Sequence, residues 1–331
     1  MSVGKVPTEQ QILKTIRDLT PNSKKYLFDD AALIEKNLVV TTDTLVENTH
    51  FTLKTYTPEE IGYKALAVNL SDVAAMGAKP LYALISLSLP KSITLPWIKR
   101  FYKGLLNCAK KYKTQIIGGN LTRSKEINIT VTLIGKATVR EGFKPSPTTQ
   151  IAKRSNAKPG DLVFTSGTFG DSACGLLLLH NPQFSIFNYQ LSIKKHKLPT
   201  PQINLGQKIV SLSQRVALMD ASDGLADCIL QIAKESKVQI IIDEDKIPIS
   251  KDVYKVSQFL NKDPLSLVLY GGEDYELIGT MNPQDCKRIK GLKIIGKVVR
   301  GNGGFVKTSR NKILRLSQNK IFKHFNNNKR S

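Results

Sequence analysis

Residues 59 to 76 read EEIGYKALAVNLSDVAAM, with apolar side chains at Ile61, Ala65, Val68 and Ala75 or Met76. That is the three-and-four spacing of a helix, and Gly77 stands where such a helix would end. On it Asn69 and Asp72 fall three residues apart and share a face. The stretch PLYALISLSLP, bounded by prolines, reads as a strand. PWIKRFYKGLLNCAKKY reads as a second amphipathic helix through Trp97, Phe101, Leu105, Cys108 and Tyr112. TQIIGGN and the alternating INITVTLIGKATV supply further strands. The polar run REGFKPSPTTQ, with Pro145 and Pro147, breaks the pattern as a linker would.

The second half opens with AKPGDLVFTSGTFGDSACGLLLL, which predicts a strand from Asp161 to Ser166, a turn from Gly167 to Gly170, and a helix. Such an order can present backbone N–H groups to an anion, but the Lys and Ser/Thr of a Walker loop are missing. Strand RVALMD, an Asp-Ser-Asp-Gly turn, helix LADCILQIAKES, strand VQIIID and the segment YGGEDYELIGT follow. No short-period repeat appears, which excludes a solenoid. The pattern predicts an α/β (α+β) fold in two domains, 1–140 and 151–331, joined by a linker at 141–150.

Composition adds limits. A chain of 331 residues, 41% hydrophobic, has the material for two cores without disulfides. Its four cysteines stand far apart with no CxxC pair, and no basic-then-apolar leader opens the chain, so a reduced, cytoplasmic protein is expected. No apolar run reaches the roughly 18 residues of a membrane span. Lys and Arg number 49 against 27 Asp and Glu, a formal charge of +22 that would suit nucleic acid. The excess is diffuse, however, and heaviest in the acid-free tail KTSRNKILRLSQNKIFKHFNNNKRS. Without an RNP aromatic pair or paired Cys/His ligands, a nucleic-acid partner is disfavoured.

Against that background the scarce acids are grouped. They stand in FDDAAL (Asp29, Asp30), TTDTLVENTHF (Asp43), NLSDVAAMG (Asp72), MDASDGL (Asp220, Asp223) and GGEDYEL (Glu273, Asp274). A single Asp near Gly reads most simply as a turn or a helix cap. Asp72 does not, because a carboxylate on an apolar helical face is costly to bury unless it is paired or binds a metal. Carboxylates with Thr and Asn nearby suit a hard cation, Mg²⁺ above all. His50, His180, His196 and His324 are too scattered for zinc, and apart from His50 they read as exposed or capping histidines.

These segments, together with IIGGNLTR and RSNAKPGDLVFTSGTFGDSACGL, occur in the order found in the thiamine-monophosphate kinases of the PurM-like superfamily. The chain resembles that family from about Phe28 to about Thr280, with a weaker echo at IFKHF. The resemblance implies ATP-dependent conversion of thiamine phosphate into thiamine diphosphate, Mg²⁺-assisted, with no covalent residue and no protein general base. It implies a homodimer joined through the N-terminal sheets, with ATP and substrate near the interface. Carried over residue by residue, it assigns Mg²⁺ to Asp30, Thr42, Asp43, Asp72, Asp220 and Asp223, with Thr41 nearby. It assigns ATP to Gly119, Asn120, Arg154 and Ser222, and the substrate to His50, Glu273 and Phe322. One departure stands out: the family's Gly-Gly-Asp-Thr-Thr-Arg is GGNLTR here, so Asn120 takes the place of a metal-binding Asp. Aminoimidazole ribonucleotide synthetase is the enzymatic alternative, and a basic non-catalytic binding protein the alternative of another class.

Overall fold

A computed structural model of the chain describes residues 7–20, 26, 29–35, 37–138, 151–181, 190–213 and 215–321. Phe322 and the linker expected at 141–150 lie outside the described residues.

Helix α1 (Glu9–Leu19) precedes a five-stranded sheet of β1 (Ala32–Ile34), β2 (Leu38–Val46), β3 (Ala78–Leu89), β4 (Gln115–Arg123) and β5 (Asn128–Ala137), in the order β1-β2-β5-β3-β4. Among its described strands, only β3 and β4 run parallel. Helices α2 (Pro58–Ala75) and α3 (Leu95–Tyr112) belong to the same half. The predicted helix at 59–76 is α2. Thr57 and Glu60 form a capping box that satisfies two orphan N–H groups, and Gly77 at φ +65° follows the last turn in the left-handed conformation. Helix α2 is more deeply buried than its spacing predicts, because elements of the second half cover its outer side. There α6 (Ile203–Leu212) and β7 (Val216–Asp220) pack against it.

The second half is built on a seven-stranded sheet that includes β10 (Lys293–Val299), β11 (Gly303–Lys307) and β12 (Ile313–Arg315), in the order β12-β11-β8-β10-β6-β9-β7. Its strands include the expected β6 (Leu162–Thr165), β7 and β8 (Gln239–Asp243), and β9 (Leu277–Met281) lies between β6 and β7. The expected helices appear as α4 (Asp171–His180) and α7 (Leu225–Ser236). Helix α5 (Gln190–Lys197) packs on α4. One apolar cluster runs from Leu66, Leu70 and Ile129 in the first half to Leu218, Leu277 and Met281 in the second, so the halves share a core. All four cysteines are buried thiols. Among the described residues, no helix is long and apolar enough to cross a membrane.

The alternation of β2 decides what its residues meet. Thr41 and Asp43 face α2, whereas the Thr42 hydroxyl bonds Val131 O and Thr132 Oγ1, and Thr44 bonds Thr130 Oγ1. Among the described residues, that second face carries no helix of its own. Strand β4, at the sheet edge, is exposed along nearly its whole length.

Candidate active site

Asp72 projects from α2 toward β2, where Thr41 Oγ1 donates to its Oδ2 at 2.5 Å. Three residues earlier on the same face, Asn69 Oδ1 accepts the Asp43 N–H at 3.0 Å, and its Nδ2 donates to Ala65 O. Asn69 thus fixes the strand that carries Asp43. It was not among the site residues expected from the sequence, although the shared face with Asp72 was the signal.

Asp220, at the C-terminal end of β7, and Asp30, just before β1, complete the cluster. One carboxylate oxygen from each of Asp30, Asp72 and Asp220 lies within 4.8 Å of the others. Three ionised groups that close repel by roughly 3 to 4 kcal/mol per pair at an effective dielectric of about 20. Burial and the neighbouring carboxylates of Asp43, Asp220 and Asp30 accordingly push Asp72 well above the usual carboxylate range. Burial and Asp30 do the same to Asp220, and, more mildly, to Asp43. Asp220 Oδ2 is fully buried without a hydrogen-bond partner within normal reach, although the Ser71 hydroxyl, also unpartnered, lies beside it. Acceptors that crowd one another, one of them buried without a donor, are what a cation would satisfy.

Arg154 is the one guanidinium attached to this cluster among the described residues. Its backbone N–H donates to Asp29 Oδ1 at 2.8 Å, Nη2 donates to Asp30 Oδ1 at 2.9 Å, and Nη1 bonds Gln231. Burial works against its charge, but the Asp30 carboxylate outweighs burial and holds its pKa above the ordinary arginine value.

A cleft of about 160 Å³ adjoins the acids, lined in part by Asp43, Asp72 and Asp220. His50, Ser222, Asp223, Glu273 and Tyr275 complete much of its wall. His50 Nδ1 accepts the Val46 N–H at 3.0 Å. The Glu273 N–H donates to Ser222 O and that of Tyr275 to Ala221 O, so the GGEDYEL segment is laced to the turn after β7. Glu273 and Tyr275 adopt φ of +67° and +51°, a conformation non-glycine residues hold only where surrounding contacts impose it. Their side chains line the cleft while Asp274, between them, turns away.

The Asp274 carboxylate accepts the N–H groups of Gly170 and Ser172 at 2.8 and 3.0 Å, and so caps α4. The N-terminus of α4, which by its sequence could hold a phosphate, already holds this internal carboxylate. Burial pushes Asp274 up to about 7 despite its two N–H donors.

Within one chain three of the expected site residues stand apart from the acid cluster, and one histidine reading needs correction. Thr42 does not join the acid cluster, because strand alternation turns its hydroxyl to the opposite face. Asn120 and Gly119 do not join it either. Asn120 pairs with Ser86, Ser86 with Thr130, and Thr130 with Thr44, which sets Asn120 on the far face and three strands from β2, roughly 14 Å away. A Cβ at Gly119 would lie 1.8 Å from Ile85 O, so the close approach of β3 accounts for that glycine. Finally, His196 is neither exposed nor a cap. It is 1% exposed, with Nδ1 2.9 Å from Ser172 Oγ and 3.2 Å from Glu273 Oε2.

Fold and site together define a PurM-like ATP-using class, and residues 28–137 match the family model "AIR synthase related protein, N-terminal domain". The thiamine-monophosphate kinase of Aquifex aeolicus is 38% identical over 287 residues, 85% of this chain and 89% of that protein. That of Bacillus subtilis is 41% identical over 270 residues, 79% of each. The solved structure described as "AaThiL complexed with AMPPCP and TMP" superposes with a TM-score of 0.85 at 34% identity, covering 96% of this chain and 97% of the other. The chain belongs to the thiamine-monophosphate kinase family.

Proposed function

We propose that this protein transfers the γ-phosphoryl group of ATP to thiamine phosphate, giving thiamine diphosphate. The observation that carries the reading is the oxygen-only cluster of Asp30, Asp72 and Asp220, with its unpartnered Asp220 oxygen, in a relative of a kinase solved with AMPPCP and TMP. Two phosphate-bearing anions must meet in this reaction, and carboxylates alone would oppose them. The donor set fits Mg²⁺, which Asp30, Asp43, Asp72, Asp220 and Asp223 would hold, with Thr41 orienting Asp72. When bound, Mg²⁺ supplies charge neutralisation and polarisation at the phosphoryl oxygens.

The chain's own groups position the reactants. Arg154, anchored by Asp30 and Gln231, brings a fixed positive charge to the edge of the cluster, where it would stabilise charge on the transferring group. Ser222 is read as a nucleotide contact, and His50 and Glu273, in the cleft wall, as substrate contacts. The acceptor is a phosphate with a second pKa of about 6, already largely ionised at neutral pH, so neither a protein base nor a covalent residue is required.

The working unit is read as a cytoplasmic homodimer. Tyr82, Ile117 and Leu121, on β3 and β4, are 42%, 49% and 71% exposed, which a second copy packing on this sheet would relieve. That packing would also give Thr42, Gly119 and Asn120 a role, since a site between two copies could use residues a single chain keeps apart. Asn120 brings a carbonyl oxygen without charge, so the Mg²⁺ requirement should be high. The test of the reading is ADP release from ATP with and without thiamine phosphate. Release that depends on thiamine phosphate supports it, and release indifferent to it overturns it.

A further inference from the structure

Lysine is rarely buried, and Lys64 is 0% exposed in the middle of α2. An ammonium removed from water is costly unless it is paired and hydrogen-bonded. Lys64 Nζ lies 3.2 Å from Glu273 Oε1 and donates to Tyr56 OH at 3.1 Å. Burial acts to lower its pKa, but the Glu273 charge and the Tyr56 bond outweigh burial and hold the ammonium above the ordinary lysine value. His196 Nδ1, from α5, stands 3.2 Å from the other carboxylate oxygen, Oε2. Ser172 Oγ and the edge of the Tyr56 ring hold the imidazole in turn.

Each oxygen of Glu273 is therefore met by a nitrogen on a different helix, which fixes both the position and the plane of the carboxylate. As a joint between the two halves this is an odd choice, because a well-packed apolar pair of similar volume holds at least as firmly. Its location is the clue. Glu273 lines the cleft beside the acid cluster, and Lys64 stands eight residues, about 12 Å of helix, from Asp72. One rigid rod thus carries both an acid of the cluster and the partner of the cleft-wall carboxylate.

We propose that Lys64 is a positioning residue of the substrate cleft, which together with His196 holds the Glu273 carboxylate in place and aligned to receive the amino and cationic groups of the substrate. This rests on the reading of Glu273 as a substrate contact. Catalysis enters only through where the substrate sits, so the signature is a change in substrate KM with the ATP KM preserved.

The test compares Lys64→Met, Glu273→Gln and the double variant, with KM for thiamine phosphate and for ATP measured on each. Lys64→Met should raise the thiamine phosphate KM about tenfold or more, with the ATP KM unchanged within a factor of about two. The double variant should match Glu273→Gln alone, because Lys64 acts through that carboxylate. It also removes both charges, so it remains informative if Lys64→Met, which takes the ammonium from a buried acid, fails to fold. Multiplicative losses in the double variant, or a wild-type KM in Lys64→Met beside a weakened Glu273→Gln, would overturn the positioning role alone. A wild-type substrate KM in Glu273→Gln would remove the contact on which the proposal stands, and the proposal with it.

Discussion

Replacing Asp72 by Asn separates its charge from its shape. In the protein without metal, Asp72 is held near Asp30 and Asp220, with one hydrogen bond from Thr41. At pH 7 the penalty a crowded carboxylate imposes has a ceiling, because the group takes up a proton rather than bear more. From an ordinary value of 3.8 that ceiling is about 4 kcal/mol. The neutral amide of Asp72→Asn would relieve part of it while its oxygen still accepts from Thr41, so the metal-free variant should melt at the wild-type temperature or a few degrees above it. Added Mg²⁺ stabilises the wild type by mass action, about 2.7 kcal/mol at a hundredfold excess over Kd, and this rise should shrink in the variant. Transfer should fall about 100-fold or more. Melting curves in EDTA and in Mg²⁺, read beside ADP release, measure all three. A variant that melts lower in EDTA, keeps its full Mg²⁺ rise and turns over normally would refute the reasoning.

Other sites give independent tests. Asp171 accepts from Lys195, Thr168 and Ser250, and these bonds outweigh burial to hold its carboxyl below the ordinary value. Its stabilisation is therefore present above about pH 4 and lost as pH falls through its lowered pKa, so Asp171→Asn should cost about 3 kcal/mol at pH 7 and progressively less in acid melts. A cost that stayed constant with pH would sink this. Asn120→Asp should reach half-maximal rate at lower Mg²⁺ than the wild type at fixed ATP, and identical titrations would remove Asn120 from the metal requirement. Tyr82→Asp places a charge on the uncovered face of the sheet and should convert a dimer to a monomer in sedimentation. An unchanged mass would move the interface elsewhere.

How much of this was legible before the fold was known depends on sequence distance. Helix α2 could be read because its cap, its apolar spacing and Gly77 agree within 20 residues or so, and Asp72 stood out as a carboxylate on an apolar face. That Asp30 and Asp220 meet it could be reached only through a resemblance, since the meeting depends on β7 of the second half packing against α2. The polar run from Thr41 to Thr44 hides the alternation of β2 in the sequence, and with it the opposite facing of Thr42 and Asp43. The separation of Asn120 from the acids follows from the strand order, which no local pattern encodes. Lys194, Lys195 and Lys197 make the surroundings of His196 look like solvent in the sequence, whereas the ring itself turns inward to Glu273.

The central claim is that phosphoryl transfer goes directly from ATP to thiamine phosphate at the acid cluster. Supplying ATP with heavy oxygen in its γ-phosphate, and following products by phosphorus NMR and intact-protein mass spectrometry, tests it most directly. The account predicts the label in the terminal phosphate of thiamine diphosphate, formed at the rate ADP appears, with the protein mass unchanged and nothing formed in EDTA. Label in inorganic phosphate or on a protein residue would contradict it.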